Sequence, residues 1–205
     1  MRTGSLLFLI CTIAVLSGCN LSNTKPADST IYIQPFYPFS KERVAQVVAE
    51  VQHFYHCKVI ILPERKIYDE ARSKSGRYSA PILLKLLDQQ IKGRNEKILA
   101  LTSYDVFCES NGVKEWGIFG LGNCPGHACV VSDFRLKWFP DKTQEFTINV
   151  VLHELGHTFG LPHCTYDEKC LMNDAKGGIA PLYKEKRMLC QHCLDKLGLG
   201  HEICK

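Results

Sequence analysis

Nowhere does this sequence gather lysine or arginine into a basic run, and 25 Lys and Arg against 21 Asp and Glu leave a formal net charge of only +4. That balance gives no electrostatic case for a nucleic-acid partner. Internal repeats are absent too, which excludes an architecture stacked from repeating units. No apolar run reaches the roughly 18–20 residues that cross a bilayer as a helix. The longest, Leu6 to Leu16, is broken by Cys11 and Thr12. What remains is an ordinary globular composition, 45% hydrophobic and 22% charged, in 205 residues. That length suits one domain with a sizeable core and is marginal for two. Cysteine, by contrast, is plentiful at 11 residues.

Residues 1–18 read as an export signal, with Arg2 as the short positive end and Leu6 to Leu16 as the apolar core. Leu16-Ser17-Gly18-Cys19 follows directly and resembles the lipobox of bacterial lipoproteins. The resemblance implies that Cys19 is diacylated on sulfur and becomes the N-terminus. Two or three acyl chains hold a membrane firmly where one binds only marginally. An ordinary signal peptide that happens to contain a cysteine is the alternative. Residues 19–29 would then be the lipidated cysteine and a polar tether, with a folded domain over 30–205. The expected setting is the exported side of a bacterial cell envelope, with the protein as a lipid-anchored monomer.

Periodicity predicts the layout of that domain. Ile31 to Phe36 suits a strand that Pro35 places at an edge or turn. Ser40 can cap a helix whose Val44, Val47, Val48, Val51 and Phe54 share one face. Lys58 to Leu62 reads as a buried strand, and 64–78 as loop. Ser79 and Pro81 open a second helix carrying Leu83, Leu84, Leu86 and Leu87. Ile98 to Thr102, Trp116 to Leu121 and Ala128 to Phe134 read as further strands. Asp141, with Gln144 as capping-box partner, opens the last long helix. The fold class expected is mixed α/β (α+β), a twisted mixed sheet with helices packed on it. The early strands should run parallel, with at least one later strand antiparallel.

The chemistry lies on that last helix. His153 and His157 are four residues apart, so both imidazoles leave one helix face, beside each other. Two imidazoles so placed can bind one metal at about 2.0–2.1 Å. Glu154 sits beside the first ligand, where it can reach a metal-bound water as general base without ligating. Gly160 can take the left-handed turn that ends the helix, and Pro162 forbids its continuation. The chain can then return His163 as third ligand with the fourth position open, the arrangement of a catalytic rather than a structural zinc.

Directly after His163 come Cys164, Cys170, Met172 and the pair Cys190-Gln191-His192-Cys193. The string from His153 to Cys193 resembles the archaemetzincins, a family of metzincin zinc metallopeptidases. That family's pattern runs HExxHxxGxxHC, then Cys-x-Met, then 17 residues and CxxC, and 173–189 reproduces the gap. The interval between Cys164 and Cys170 is five residues where the pattern has four. Weaker likenesses cover most of the domain: Arg77-Tyr78, Leu101-Thr102 with Asp105, Ile118-Phe119-Gly120, and Val130-Val131-Ser132 with Arg135. The resemblance implies a metzincin-like single domain and hydrolysis of a peptide or protein substrate. It also implies two zinc ions per chain, a catalytic one on the histidines and a structural one on Cys164, Cys170, Cys190 and Cys193. Met172 would be the Met-turn residue, an apolar floor under the catalytic zinc.

Read from the residues alone, the four cysteines have other uses. In an exported protein they could pair as disulfides, and CxxC could be a redox dithiol. A non-catalytic zinc-binding or thiol lipoprotein is therefore the alternative function. Cys57, Cys108, Cys124, Cys129 and Cys204 are odd in number, with Cys124 and Cys129 a candidate local pair. His53, His56, His127, His192 and His201 read as surface or core histidines. By analogy with metzincins, Trp116–Leu121 is the candidate edge strand along which a substrate lies extended.

Overall fold

The structure, a computed structural model, describes residues 25–174, 182–183 and 186–199. Cys19, the apolar segment before it, His201 and Cys204 lie outside the described residues. A five-stranded sheet organises the domain. Strands β1 (Thr30–Pro35), β2 (Lys58–Ile61), β4 (Glu96–Thr102) and β8 (Ala128–Ser132) run parallel, and β7 (Gly120–Gly122) is antiparallel to β8. Their order is β2-β1-β4-β8-β7, so β7 is an edge. A smaller sheet holds β3 (Tyr78–Ser79), β5 (Val106–Ser110) and β6 (Val113–Ile118), in the order β3-β5-β6.

Both faces of the large sheet are covered, which is why Ile98 to Leu101 of β4 read as an unbroken apolar run. Leu99 and Leu101 enter one core with helices α1 (Lys41–Tyr55) and α3 (Thr143–Thr158). Ile98 and Ala100 enter a second core with α2 (Ala80–Asp88). A short C-terminal helix, α4 (Gln191–Lys196), closes the first core with Cys193 and Leu194. The cap on α1 is as read, since the Ser40 hydroxyl accepts the Arg43 N–H at 3.2 Å. The apolar stripe is shifted slightly, with Val44, Val47, Val51 and Tyr55 buried and Val48 and Phe54 only partly so.

Four local expectations are corrected. Strand β2 is an edge, not a buried strand, because among the described residues only β1 pairs with it, and Ile61 is 52% exposed. The Trp116–Leu121 run breaks at Phe119 into β6 and β7, which belong to different sheets. Asp141 and Gln144 form no capping box. Helix α3 starts at Thr143, whose hydroxyl donates to the Leu136 and Phe139 carbonyls, while Gln144 accepts from Arg43. Finally, 26–28, placed by the sequence in the tether, form a 3-10 turn with Pro26 buried. Sequence reading also missed β5, although the Asn111-Gly112 turn marks the β5–β6 hairpin. Both residues have positive φ, 49° and 77°, the two-residue turn that Asn-Gly favours.

Candidate metal centre and catalytic cleft

Helix α3 is held between the sheet and α1 by fully buried Leu152 and Leu155. That packing turns His153 and His157 outward together, with ring centroids 4.7 Å apart. After Thr158 the helix unwinds in hydrogen-bonded steps. Gly160 N–H donates to His157 O at 2.8 Å and Leu161 N–H to Gly156 O at 3.0 Å. Gly160 adopts φ +92°, which a side chain would resist. The reversed chain brings the His163 ring to 5.3 and 4.9 Å from those of His153 and His157. One donor atom from each of the three lies within 4.8 Å of the others.

Backbone carbonyls settle the tautomers. His153 Nδ1 is 2.7 Å from Leu171 O, and His157 Nδ1 is 2.7 Å from Leu161 O. A carbonyl only accepts, so both Nδ1 atoms carry protons and both Nε2 lone pairs are free for a metal. Burial, with help from neighbouring imidazoles, holds His153 down to about 3, and burial likewise lowers His157. Neutral imidazoles with aligned lone pairs are what zinc requires, so these residues fit the ion. His163 is about half exposed, and its Nδ1 faces the Asp174 carboxylate at 3.8 Å.

Glu154 is buried, and burial pushes its carboxyl up to about 8, opposed by the Gly122 N–H that faces it. Strand β7 lies so close to α3 that only glycines fit. A Cβ on Gly122 would stand 2.6 Å from Glu154 O, and one on Gly120 2.7 Å from Glu154 Cγ. Beneath the helix, Gly156 makes room for Met172, whose Sδ would be 2.5 Å from a Cβ there. Met172 is wholly buried.

Above the histidines opens a cleft of about 710 Å³, walled by Trp116, Ile118 and Leu121 on one side and by Val150 and Leu182 elsewhere. Its outer wall, the β5–β6 hairpin, rests on Asp105, which the sequence marked only as part of a likeness. Asp105 accepts from Arg77 Nε and Arg135 Nε, both at 2.8 Å, and Arg77 also donates to Glu115 O at 2.7 Å. Cys108, Cys124 and Asp174 also line the cleft, and sequence reading gave none of them a part there. Their neighbours are distant in sequence, so no local spacing signals them.

The structure gathers Cys164, Cys170, Cys190 and Cys193, and the five-residue interval does not take Cys164 away. The four sulfurs lie within 4.8 Å of one another, with Cys164–Cys190 at 3.5 Å and Cys170–Cys193 at 3.8 Å. A disulfide needs about 2.05 Å. Four ligands at about 2.3 Å around a tetrahedral zinc stand about 3.8 Å apart, so the spacing fits the metal. Cys170 is held down to about 5, first by its hydrogen bond with the Cys193 thiol, with further help from the Cys190 N–H that donates to it. That favours the thiolate a metal binds. Cys57, Cys108, Cys124 and Cys129 are free thiols, so the candidate Cys124–Cys129 pair is not formed. His127 bonds to Glu96 O and His192 stacks on Tyr166, so neither joins the three-histidine centre.

A helix presenting two histidines one turn apart, a buried carboxylate between them and a third histidine past a glycine turn define a zinc-peptidase type of centre. Comparison with known proteins agrees. A family model described as Peptidase family M54 matches residues 41–198. An archaemetzincin of Methanopyrus kandleri is 33% identical over 158 residues, covering 77% of this chain and 83% of the relative. One from Halobacterium salinarum is 30% identical over 162 residues, covering 72% and 87%. The crystal structure of the Methanopyrus kandleri archaemetzincin matches with TM-score 0.69 at 29% identity, over 84% of this chain and 94% of that one. That of the Archaeoglobus fulgidus protein shares the fold at TM-score 0.68 and 22% identity, over 82% and 99%. The chain belongs to the peptidase M54 family, the archaemetzincins, and is a zinc-dependent metallopeptidase acting on peptides or proteins.

Proposed function

We propose that the chain hydrolyses peptide bonds with His153, His157 and His163 as the ligands of a catalytic zinc and Glu154 as general base. The observation that carries this is the placement of Glu154, a buried carboxylate between two metal-competent imidazoles on the wall of a peptide-sized cleft. Zinc, when bound, supplies Lewis acidity, lowering the pKa of a water and polarising the scissile carbonyl. Glu154 takes the proton of the attacking water and hands it to the leaving amine. The free edge of β7 pairs with the extended substrate backbone, and the apolar cleft walls receive its side chains. Cys164, Cys170, Cys190 and Cys193 hold a second zinc, closed by four thiolates and therefore structural.

Zinc content of the soluble chain beginning at Asn20, purified without chelators, tests both centres. The expected result is two ions per chain, falling to one in His157→Ala. A single ion that survives His157→Ala would remove the histidine centre. A single ion lost with His157→Ala would turn the cysteines towards disulfides.

Membrane attachment belongs to the same proposal. No helix among the described residues is long and apolar enough to cross a membrane. The lipobox-like Leu16-Ser17-Gly18-Cys19 is what supports an acyl anchor, a place on the exported side of the envelope and action as a tethered monomer. Cys19→Ser should move the protein from the membrane fraction to the soluble one. Retention in the membrane would remove Cys19 as the anchor.

A further inference from the structure

Leu99 and Leu101 of β4 point into the core shared with α3, and both are wholly buried. Lys97 holds the next position on that face, where another aliphatic residue would continue the pattern. It is 2% exposed. Its Nζ donates to Gly126 O at 2.6 Å and to Thr158 O at 3.0 Å, and lies 5.4 Å from the centroid of the Phe159 ring. Burial lowers it to about 8, so the ammonium remains charged at neutral pH. A buried cation is costly unless its hydrogen bonds are made, and here they are made to two particular carbonyls.

Those carbonyls matter because of where they stand. Thr158 is the last residue of α3, next to His157, and its carbonyl is at the negative end of the helix dipole. The same carbonyl accepts the Gly126 N–H at 3.2 Å. Gly126 lies in the 123–127 segment that joins β7 to β8. That segment also carries Cys124, whose thiol donates to Leu161 O at 3.4 Å, and this is the carbonyl that orients His157. One ammonium therefore joins β4, the end of the ligand helix and the chain leaving the substrate-side strand.

We propose that Lys97 is a positioning residue of the peptidase centre, its buried ammonium fixing the end of α3 against the 123–127 segment and thereby the placement of His157 and His163 relative to β7. The inference rests on the histidine-centre reading given above. It requires more than fold stability from Lys97: the charge sets how firmly the centre is held and how well it turns over.

The test uses the zinc-loaded full chain and compares Lys97→Met and Lys97→Gln with Leu83→Ala, a cavity in the other core. Zinc release to a competing chelator, kcat and KM on a peptide substrate, and thermal stability are measured at a temperature where each variant is folded. Substitutions that disturb the partners orienting metal ligands cost about 10–100-fold in metal affinity or activity. Lys97→Met should release the histidine-bound zinc about tenfold faster and lower kcat comparably, with KM near the wild-type value. Lys97→Gln, which keeps donors without the charge, should fall between, and it carries the comparison if Lys97→Met does not fold. Leu83→Ala should lose stability while keeping wild-type zinc release and kcat. Zinc release and kcat at wild-type levels in the Lys97 variants, or equal to those of Leu83→Ala at matched stability, would reduce Lys97 to a helix cap and overturn the proposal. No histidine-bound zinc in the wild-type chain would overturn the reading of the centre itself, and the two failures are told apart by that control.

Discussion

Glu154→Ala should abolish peptide turnover while leaving the zinc content unchanged. The side chain lines the cleft beside His153 and His157 and is not among the three clustered histidines, so under the proposed mechanism its removal takes away proton transfer and leaves the imidazoles in place. General-base catalysis contributes about 10²–10⁴-fold, so a loss of at least about a hundredfold in kcat is expected. Glu154→Gln adds a test through pH. Burial raises the folded carboxyl to about 8 from 4.5 in the zinc-free protein. The folded state then holds a proton that the unfolded state gives up between those values, so stability falls as pH rises from 4.5 to 8. Glutamine pays no such cost. The zinc-free Glu154→Gln protein should therefore melt higher than zinc-free wild type at pH 8, and the gain should shrink towards pH 5. Each kcal/mol is worth about 2–4 °C in a chain of this size. Undiminished activity in Glu154→Ala would take the residue out of the mechanism, and a gain independent of pH would deny the raised carboxyl.

Cys170→Ser should have the second large effect, because three consecutive residues serve both centres. Cys170 contributes a sulfur to the cysteine cluster, Leu171 O orients His153, and Met172 O receives the Cys164 N–H at 2.7 Å. Met172 itself fills the space that Gly156 leaves under the ligand helix. Structural zinc contributes about 10–16 kcal/mol in small zinc-folded peptides, and even a fraction of that is large here. Loss of one thiolate should reduce zinc to one ion per chain and lower Tm by roughly 10 °C or more. Catalytic zinc should also dissociate more readily, since the acceptor for His153 loses its anchor. Two retained zinc ions with an unchanged Tm would take Cys170 out of the ligand set.

Particular residues show how far local reading reached. Ser40 capped α1 as expected because a cap depends on residues three apart. The Leu83–Leu87 helix and the β4 run were legible for the same reason. Glu154, His153 and His157 were legible because helical spacing alone aligns them, and Gly160 and Pro162 because a helix end has its own chemistry. The family likeness added the four cysteines and Met172. Misreadings came where two distant segments decide the outcome. Lys58 to Ile61 is apolar enough for a central strand, yet among the described residues only one neighbour pairs with it. Trp116 to Leu121 reads as one strand, yet its halves find partners in different sheets.

By itself, then, the amino-acid order determined the helix that carries His153, Glu154 and His157, its glycine stop and the mixed α/β class, because hydrogen bonding and side-chain periodicity act over a few residues. Only the tertiary structure decided that β7 presses its glycines against Glu154, that Leu171 and Leu161 orient the imidazoles, and that Lys97 anchors the end of α3. Those contacts join residues tens of positions apart, and they form only when burial of the two cores brings the segments together.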